Sequence, residues 1–150
     1  MSEILWCADN GDGTYRNPVL YCDYSDPDAI CVNGTYYLTA STFNYVPGLP
    51  ILTSRDLVNW KLRNYAVKNI PEARYAAPQH AQGIWAPAIR FQNGRFYIYY
   101  GMPDEGIYMV STENPLGDWD TPVLVKPGKG LIDPCPFWDD DGRAYIILSL

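Results

Sequence analysis

The sequence has few charges, a single histidine, and no long run of basic or apolar residues. Charged residues make up 19% of the 150 residues, and the net charge is −6. No cluster of lysine and arginine is long enough to follow a phosphate backbone, which argues against a nucleic-acid-binding surface. The negative charge also argues against an anionic membrane surface, and no apolar run approaches the length that spans a bilayer. We therefore expect no nucleic-acid partner and no membrane partner.

Cysteine is present, but in no metal-binding pattern. The four cysteines, at positions 7, 22, 31 and 135, form no C-x-x-C pair, and His80 is the single histidine. A zinc site needs more ligands than these, so we expect no metal and no cofactor. Residues 1–6 do not contain a basic segment followed by an apolar one. We therefore expect reduced, mostly buried thiols in a cytoplasmic protein, or a secreted or periplasmic one if a signal peptide has been removed.

Helix-forming runs are also scarce, whereas aromatic and turn-forming residues are frequent. The chain contains 13 Tyr and 5 Trp, together with 13 Pro and 12 Gly. Aromatic side chains favour pleated, half-buried surfaces, and proline and glycine favour turns. The composition therefore predicts an all-β fold.

Three segments of the chain share one pattern. Each has a proline near its start, an Asn-Gly or Asp-Gly pair whose glycine comes seven or eight residues later, and then an apolar run with aromatic residues. These segments are residues 26–38, 86–98 and 133–146. Asn-Gly or Asp-Gly between two β-prone runs indicates a hairpin, because a type I′ turn needs positive φ at both central residues. Each unit is therefore predicted to begin with a β-hairpin.

Two of the three units continue with a second pair of β-prone stretches, one on each side of a tryptophan. Residues 51–54 and 61–67 flank Trp60, and residues 107–111 and 121–125 flank Trp119. Four antiparallel strands that recur in this way are typical of the blades of a β-propeller. The alternative is a β-sandwich with coincidental spacing.

We place these units in one propeller domain over residues 1–150. The first blade is expected at about 24–70, the second at about 84–127, and the first half of a third at about 131–150. The chain is thus expected to be the front part, about two and a half blades, of a longer propeller. Its last strand, at about 145–150, would then leave an open, apolar edge through which the fragment self-associates.

The prolines of the repeat indicate where a site could lie. Because proline cannot donate a backbone hydrogen bond, it favours a sheet edge or the first residue of a strand. A proline at the start of each blade's first strand fits the innermost strand, which borders the central channel of a propeller. The residues just before these prolines, Asp26, Ala86 and Asp133, are therefore expected near the mouth of the channel.

Asp26 and Asp133 occupy equivalent places in two blades, and glycoside hydrolysis requires paired carboxylates. One carboxylate deprotonates water, another group protonates the leaving oxygen, and a third can adjust a pKa or hold the geometry. The alternative is that aspartate before proline is a turn residue. Asp28 also stays open as a candidate base, because strand alternation places it on the same face as Asp26.

Two aromatic residues could line the same pocket. Trp85, just before Ala86, offers a flat face on which a sugar ring can stack, and Phe43 could do the same. The alternative for both is packing in the core between blades. Five other residues are assigned to loops and turns without a catalytic role: His80, Glu105, Asp139, Asp140 and Asp141.

Several short motifs follow one another from Asn17-Pro18-Val19-Leu20 to the end of the chain. They are Tyr24-Ser25-Asp26-Pro27-Asp28, Tyr45-Val46-Pro47-Gly48-Leu49-Pro50, Ser54-Arg55-Asp56-Leu57-Val58-Asn59-Trp60, Gly83-Ile84-Trp85-Ala86-Pro87 and Gly130-Leu131-Ile132-Asp133-Pro134. In this order the chain resembles glycoside hydrolase family 43, which includes β-xylosidases, α-L-arabinofuranosidases and arabinanases. The Pro-Gly-Leu-Pro segment is most similar to the β-xylosidase and arabinofuranosidase branch.

The resemblance implies a five-bladed β-propeller and an inverting mechanism with three acidic residues. Asp26 matches the general base, Asp133 matches the residue that tunes and orients the acid, and Phe43 and Trp85 match the walls of the sugar pocket. The general acid is a Glu expected in a later blade, and no residue here matches it. The expected partner is a small oligosaccharide containing xylose or arabinose. The 150-residue chain alone is expected to be inactive, because it lacks that acid.

Two other functions remain open at this point. A family 32 or 68 fructosidase also has five blades, but the Asn-Asp-Pro-Asn signature that usually opens those enzymes is absent. A non-catalytic sugar-binding or interaction propeller is the alternative from a different functional class. A Glu at the start of the fourth blade's first strand would favour the enzyme over the binding protein.

Overall fold

The computed structural model describes residues 6–77 and 79–150. This part of the chain contains ten β-strands and one short 3₁₀ helix. The first sheet contains β1 (Asp28–Val32), β2 (Thr35–Thr39), β3 (Gly48–Ser54) and β4 (Lys61–Val67). The 3₁₀ helix, Ala73–Ala76, lies in the connection to the second sheet. That sheet contains β5 (Trp85–Gln92), β6 (Arg95–Met102), β7 (Gly106–Thr112) and β8 (Val123–Pro127), and a third sheet contains β9 (Ile132–Trp138) and β10 (Ala144–Ser149).

Each sheet is antiparallel and follows the order of the chain. The first two sheets run β1-β2-β3-β4 and β5-β6-β7-β8, and the third pairs β9 with β10. The first strands are neighbours in space, because β1 contacts β5 and β5 contacts β9. The outermost strand of the second sheet, β8, is exposed along its whole length. The predicted all-β architecture of four-stranded antiparallel units is confirmed.

Asn-Gly dipeptides form the first hairpins of the first two sheets, as predicted. Asn33 and Gly34 have φ of 50° and 71°, and Asn93 and Gly94 have φ of 50° and 80°. Both residues of each pair therefore have the positive φ that a type I′ turn requires. The two-residue turns fix the register, with Val32 opposite Thr35 and Gln92 opposite Arg95.

The hairpin of the third sheet differs from this prediction. Its connection is five residues long, and in it Gly142 has positive φ but Asp141 does not. The amide of Gly142 donates to the carbonyl of Asp139 at 2.9 Å, and the amide of Asp139 donates to the carbonyl of Arg143 at 2.9 Å. The predicted hairpin is present, but a five-residue connection stands where a two-residue turn was expected.

The loops after β3 and β7 are built alike, which explains the repeated tryptophans. In the first loop, the Ser54 hydroxyl and the Asp56 carboxylate accept hydrogen bonds from backbone amides. In the second loop, the side chains of Thr112 and Asn114 accept equivalent hydrogen bonds. The indole of Trp60 donates to the Leu57 carbonyl at 2.9 Å. In the second loop, the indole of Trp119 donates to the Pro115 carbonyl at 3.2 Å.

The main core lies between the first and second sheets. Its fully buried members come from β3, from the end of β4, from the segment before β5, and from β5, β6 and β7, so the inner faces of the sheets meet there. They include Leu49, Ile51, Ile84, Ile89, Ile98, Tyr100, Met102 and Val110. Burying such side chains contributes about 1.5–3 kcal/mol each relative to exposure. This core holds the first two sheets together and so fixes the ends of β1 and β5 relative to each other.

The cysteine prediction was wrong in one respect. All four cysteines are free thiols, but they are exposed rather than buried. Cys31 and Cys135 lie on β1 and β9 at positions whose side chains alternate outward, and Cys7 and Cys22 lie in the segment before β1.

The exposed apolar residues of the third sheet bear on the predicted open edge. Among the described residues, β9 is the one strand that pairs with β10. Tyr145, Ile147 and Leu150 are all exposed. Self-association through this edge stays a prediction. In the described part of the chain, no helix has the length and apolar character needed to cross a bilayer.

Candidate active site

Two β-bulges set the orientation of Ala86 and Asp133, two of the residues that precede the repeated prolines. In β5, the two residues between Trp85 and Ala88 lie opposite a single residue of β6, and in β9 two residues between Ile132 and Cys135 lie opposite a single residue of β10. The extra residues fall at Ala86-Pro87 and Asp133-Pro134. Bulges bend a strand and redirect a side chain, and they are common next to active sites. The bulges therefore turn positions 86 and 133 away from the regular alternation of their strands.

The backbone confirms that positions 26, 86 and 133 are equivalent. Asp26, Ala86 and Asp133 have φ of 46°, 28° and 52°. Positive φ is rare for residues with a side chain, and such strain is often kept at functional sites. The same unusual conformation at three equivalent places shows that each sheet begins in the same way.

The structure brings all four predicted site residues into one cavity. Asp26, Phe43, Trp85 and Asp133 line a cavity of about 370 Å³, together with Ala81, Ala86 and Ile132. This volume is at the lower end of the range for small-molecule sites, roughly 300–1,000 Å³. Their proximity is a structural finding, whereas their chemical roles stay predictions.

The Asp26 carboxylate is held through one of its two oxygens. Oδ2 accepts hydrogen bonds from the Ser25 hydroxyl at 3.1 Å and from the Ser41 hydroxyl at 3.0 Å. Among the described residues, no donor reaches Oδ1. One carboxylate oxygen is thus fixed, and the other is available to a water molecule or a ligand.

Asp133 has a different environment in the same cavity. Within the described part of the chain, its carboxylate accepts no hydrogen bond, and the residue is exposed. Its position is set by the backbone alone, through the bulge in β9 and the positive φ. The side chain is therefore free to act on a neighbouring group in the cavity.

Asp28, the other candidate base from the sequence, lies in an ion pair with Arg90 rather than in the cavity. Its Oδ2 accepts from Nη1 of Arg90 at 2.6 Å and from the Ile89 amide at 2.9 Å, so it links β1 to β5. Burial opposes the charge on Arg90, but the hydrogen bond and attraction of Asp28 outweigh it and raise the pKa of Arg90. Asp28 does not line the cavity, since strand alternation breaks down at the Asp26-Pro27 step.

Phe43 and Trp85 form two walls of the cavity at a right angle. Their ring centroids are 5.4 Å apart and their planes meet at 83°. The segments that carry them are paired through Thr42 and Ile84, whose amides and carbonyls exchange hydrogen bonds of 2.9 and 3.1 Å. Gly83 is required for this close approach, because a Cβ there would lie 2.4 Å from the Thr42 carbonyl oxygen.

Ala81 fixes the orientation of Trp85. Its carbonyl accepts the indole N–H of Trp85 at 3.1 Å, and its amide donates to Oδ1 of Asn44 at 2.6 Å. Ala81 also has positive φ, 54°. The Trp85 ring is therefore held from both sides, by Phe43 and by this backbone contact.

A charged network anchors the connection that carries Ala81. Arg74, in the 3₁₀ helix, donates to Asp104 at 2.7 Å and to Glu105 in the β6–β7 hairpin. The Tyr75 hydroxyl donates to the Gln82 carbonyl at 2.8 Å. Burial and the nearby Glu105 raise the pKa of Tyr75 to about 12, so it stays a neutral donor at physiological pH. Glu105 is thus a structural residue.

The remaining sequence candidates lie outside the cavity. His80 lies in the turn before Ala81 but does not line the cavity. Asp139, Asp140 and Asp141 lie in the hairpin between β9 and β10. In residues 6–77 and 79–150, no group of three or more His, Cys, Asp or Glu side chains is arranged to hold a metal ion.

Sequence reasoning missed Ser41 and Ala81. Ser41 follows β2 and is 3% exposed, and its hydroxyl contacts Asp26. The signal for Ser41 was present, because a two-residue turn at Asn33-Gly34 places position 41 opposite position 26. Ala81 acts through its backbone, so its residue type carries no signal.

Comparison with known proteins adds independent information. The family model described as glycosyl hydrolases family 43 matches residues 15–150. A beta-xylosidase of Formosa agariphila is 35% identical over 148 residues, which are 95% of this chain and 25% of that protein. A non-reducing end alpha-L-arabinofuranosidase of Bacteroides ovatus is 36% identical over 151 residues, which are 95% of this chain and 28% of that protein.

A solved structure gives the same result for the fold. The crystal structure of a GH43 protein from Bacillus licheniformis superposes with a TM-score of 0.80 at 33% identity, over 90% of this chain and 29% of that chain. The present chain spans about a quarter of the length of the curated relatives it matches.

Proposed function

This chain belongs to glycosyl hydrolase family 43, and we propose that the protein is an inverting glycosidase acting on xylose- or arabinose-containing oligosaccharides. The observation that carries the proposal is the cavity shared by Asp26, Asp133, Phe43 and Trp85. Two carboxylates and two aromatic walls are the elements needed to bind a sugar ring and to cleave its bond. The relatives' names, a beta-xylosidase and an alpha-L-arabinofuranosidase, support the substrate class.

Asp26 is proposed as the general base. Its Oδ2 is occupied by two hydroxyl donors, which leaves Oδ1 for a water molecule. The water would give a proton to Oδ1 while its oxygen bonds to the anomeric carbon. The bond from that carbon to the leaving oxygen breaks, and a general acid protonates the leaving oxygen.

Asp133 is proposed to tune and orient the general acid. It shares the cavity with Asp26 but lies on the third sheet, and the bulge in β9 presents it there. A nearby negative charge raises the pKa of a carboxylic acid and keeps it protonated. The acid itself is proposed to be a Glu supplied by a further blade. An inverting site would place it roughly 6.5–9.5 Å from the base.

Phe43 and Trp85 are proposed to bind the terminal sugar. Each is half-buried, and both rings border the cavity. The contact of Trp85 with Ala81 and its edge-on packing against Phe43 leave the ring little freedom to move. A fixed aromatic face loses little entropy when a sugar stacks on it.

The experiment is hydrolysis of aryl β-xyloside and aryl α-L-arabinofuranoside by the protein expressed from its complete reading frame. Proton NMR of the first product reports the anomer. We expect turnover of at least one substrate with inverted configuration. A retained configuration would contradict the mechanism, and sugar binding without turnover of either substrate would instead support a non-catalytic binding protein.

A further inference from the structure

Ser41 connects the first sheet, the second sheet and Asp26. Its amide donates to the carbonyl of Ser25 at 2.9 Å, which fixes the residue beside the segment that carries Asp26. Its hydroxyl oxygen lies 3.0 Å from Oδ2 of Asp26 and 2.8 Å from the amide nitrogen of Ala86. The residue is 3% exposed, so solvent has little access to compete for these bonds.

The direction of the two hydroxyl bonds follows from chemistry. A backbone amide can only donate, so the Ser41 oxygen accepts from Ala86. The hydroxyl proton is then left for Oδ2 of Asp26, because an ionised carboxylate can only accept. Hydrogen bonds linked in this way polarise one another, so the bond that the Ala86 amide donates to Ser41 strengthens the bond that Ser41 donates to Asp26.

Ser25 provides a natural comparison, because its hydroxyl donates to the same oxygen. The distance is similar, 3.1 Å, but Ser25 is adjacent to Asp26 in the chain and its hydroxyl has no other partner among the described residues. Ser25 thus moves with Asp26. Ser41 instead connects the carboxylate to the start of β5, where Ala86 and Trp85 line the cavity.

We propose that Ser41 is a positioning residue that holds Oδ2 of Asp26, so that Oδ1 receives the proton from the attacking water. This inference rests on the proposed role of Asp26 as the base. It links the base to the same backbone segment that presents Trp85. The distance between the water-binding oxygen and the sugar wall is thereby fixed by one buried hydroxyl.

The test compares Ser41→Ala, Ser25→Ala, Asp26→Asn and the double variant Asp26→Asn/Ser41→Ala in the protein from its complete reading frame. Ser41→Ala should lower kcat about 10-fold or more while KM stays within about threefold, as expected when a transition-state interaction is lost. Ser25→Ala should lower kcat less than Ser41→Ala does, because Ser25 donates to the same oxygen but does not connect it to β5. In the Asp26→Asn background, Ser41→Ala should cause no further loss, because residues that act through one another are not additive.

A second variant keeps the test valid if Ser41→Ala folds poorly. Ser41→Cys nearly preserves the volume but offers only a weak donor, so it should fold like wild type and still lose kcat. A rise in KM with unchanged kcat, or an equal loss of kcat in the Asp26→Asn background, would overturn the inference while leaving the role of Asp26 intact. Full activity of Asp26→Asn would overturn both.

Discussion

The carboxylates of Asp26 and Asp28 lie two residues apart at the start of β1, yet their surroundings differ. Asp26 faces the cavity and accepts bonds from two serine hydroxyls through one oxygen. Asp28 accepts from the Arg90 guanidinium and the Ile89 amide, and it joins the first sheet to the second. A carboxylate that is paired with a cation and a backbone donor holds the structure, whereas one with a free oxygen in a cavity is available for chemistry.

Asp26→Asn is expected to have the largest effect. The amide keeps the size of the side chain but cannot take a proton from water, so kcat should fall by roughly 10² or more while substrate still binds. Steady-state kinetics on an aryl glycoside measure this, with Asp28→Asn as the matched control. Loss of activity in Asp28→Asn with near-full activity in Asp26→Asn would show that Asp28, and not Asp26, is the base.

Asp133→Asn is expected to have the next largest effect and a different signature. Loss of its negative charge should lower the pKa of the general acid, so activity should decline at a lower pH on the basic side of the profile. We expect kcat at neutral pH to fall roughly 10- to 100-fold. The full pH profile of kcat is the measurement. An unchanged basic limb would show that Asp133 has another role.

Asp28→Asn should affect stability more than catalysis. The side chains of Asp28 and Arg90 are 33% and 30% exposed, and the substitution removes the charge that pairs with Arg90. We expect the free energy of unfolding to fall by about 1–2 kcal/mol, with kcat within about threefold of wild type. Urea denaturation at pH 7 measures the free energy of unfolding. Unchanged stability would mean that the pair does not hold the sheets together.

Asp104 offers a smaller test of the same distinction, because it is also paired with an arginine. The hydrogen bond from Arg74 holds the pKa of its carboxyl below the usual value of 3.8. A lowered folded-state pKa stabilises the fold above the unfolded value, and this stabilisation is lost as the pH falls through the lowered pKa.

The variant Asp104→Asn should therefore be slightly less stable than wild type at pH 6, and the difference should close as the solution is acidified below pH 3.8. Thermal melts over a pH series measure this. In an Arg74→Met background, most of the pH-dependent difference should be absent. A difference that persists at low pH would show that Asp104 acts through packing rather than charge.

Much of the fold could be predicted from the repeated hairpin signal. Asn33-Gly34 and Asn93-Gly94 determine their turns locally, because few other residues accept positive φ at two successive positions. The third hairpin could not be predicted in detail, since the three aspartates before Gly142 allow more than one loop length. Strand β8 also begins at Val123, two residues later than expected, and Pro122 before it cannot donate to a ladder.

The candidate site was predictable where it depends on equivalence between blades. Asp26 and Asp133 precede matching prolines, so their common location followed from the repeat. The ion pair between Asp28 and Arg90 was not predictable, because the alternation rule fails at the Asp26-Pro27 step and because Arg90 is distant in sequence. The exposed cysteines show a similar limit, since residue type alone does not determine which face of β1 or β9 is covered.

The most direct test of the account is rescue of the aspartate variants by azide. A small anionic nucleophile needs no general base, so azide should raise the kcat of Asp26→Asn several-fold and give a glycosyl azide of inverted configuration. The kcat values of Asp28→Asn and Asp133→Asn should not rise with azide. Asp28→Asn retains Asp26 as the proposed base, and in Asp133→Asn the lost function is control of the pKa of the general acid, which azide does not replace. Rescue of Asp28→Asn with no response of Asp26→Asn would contradict the assignment of Asp26 as the base.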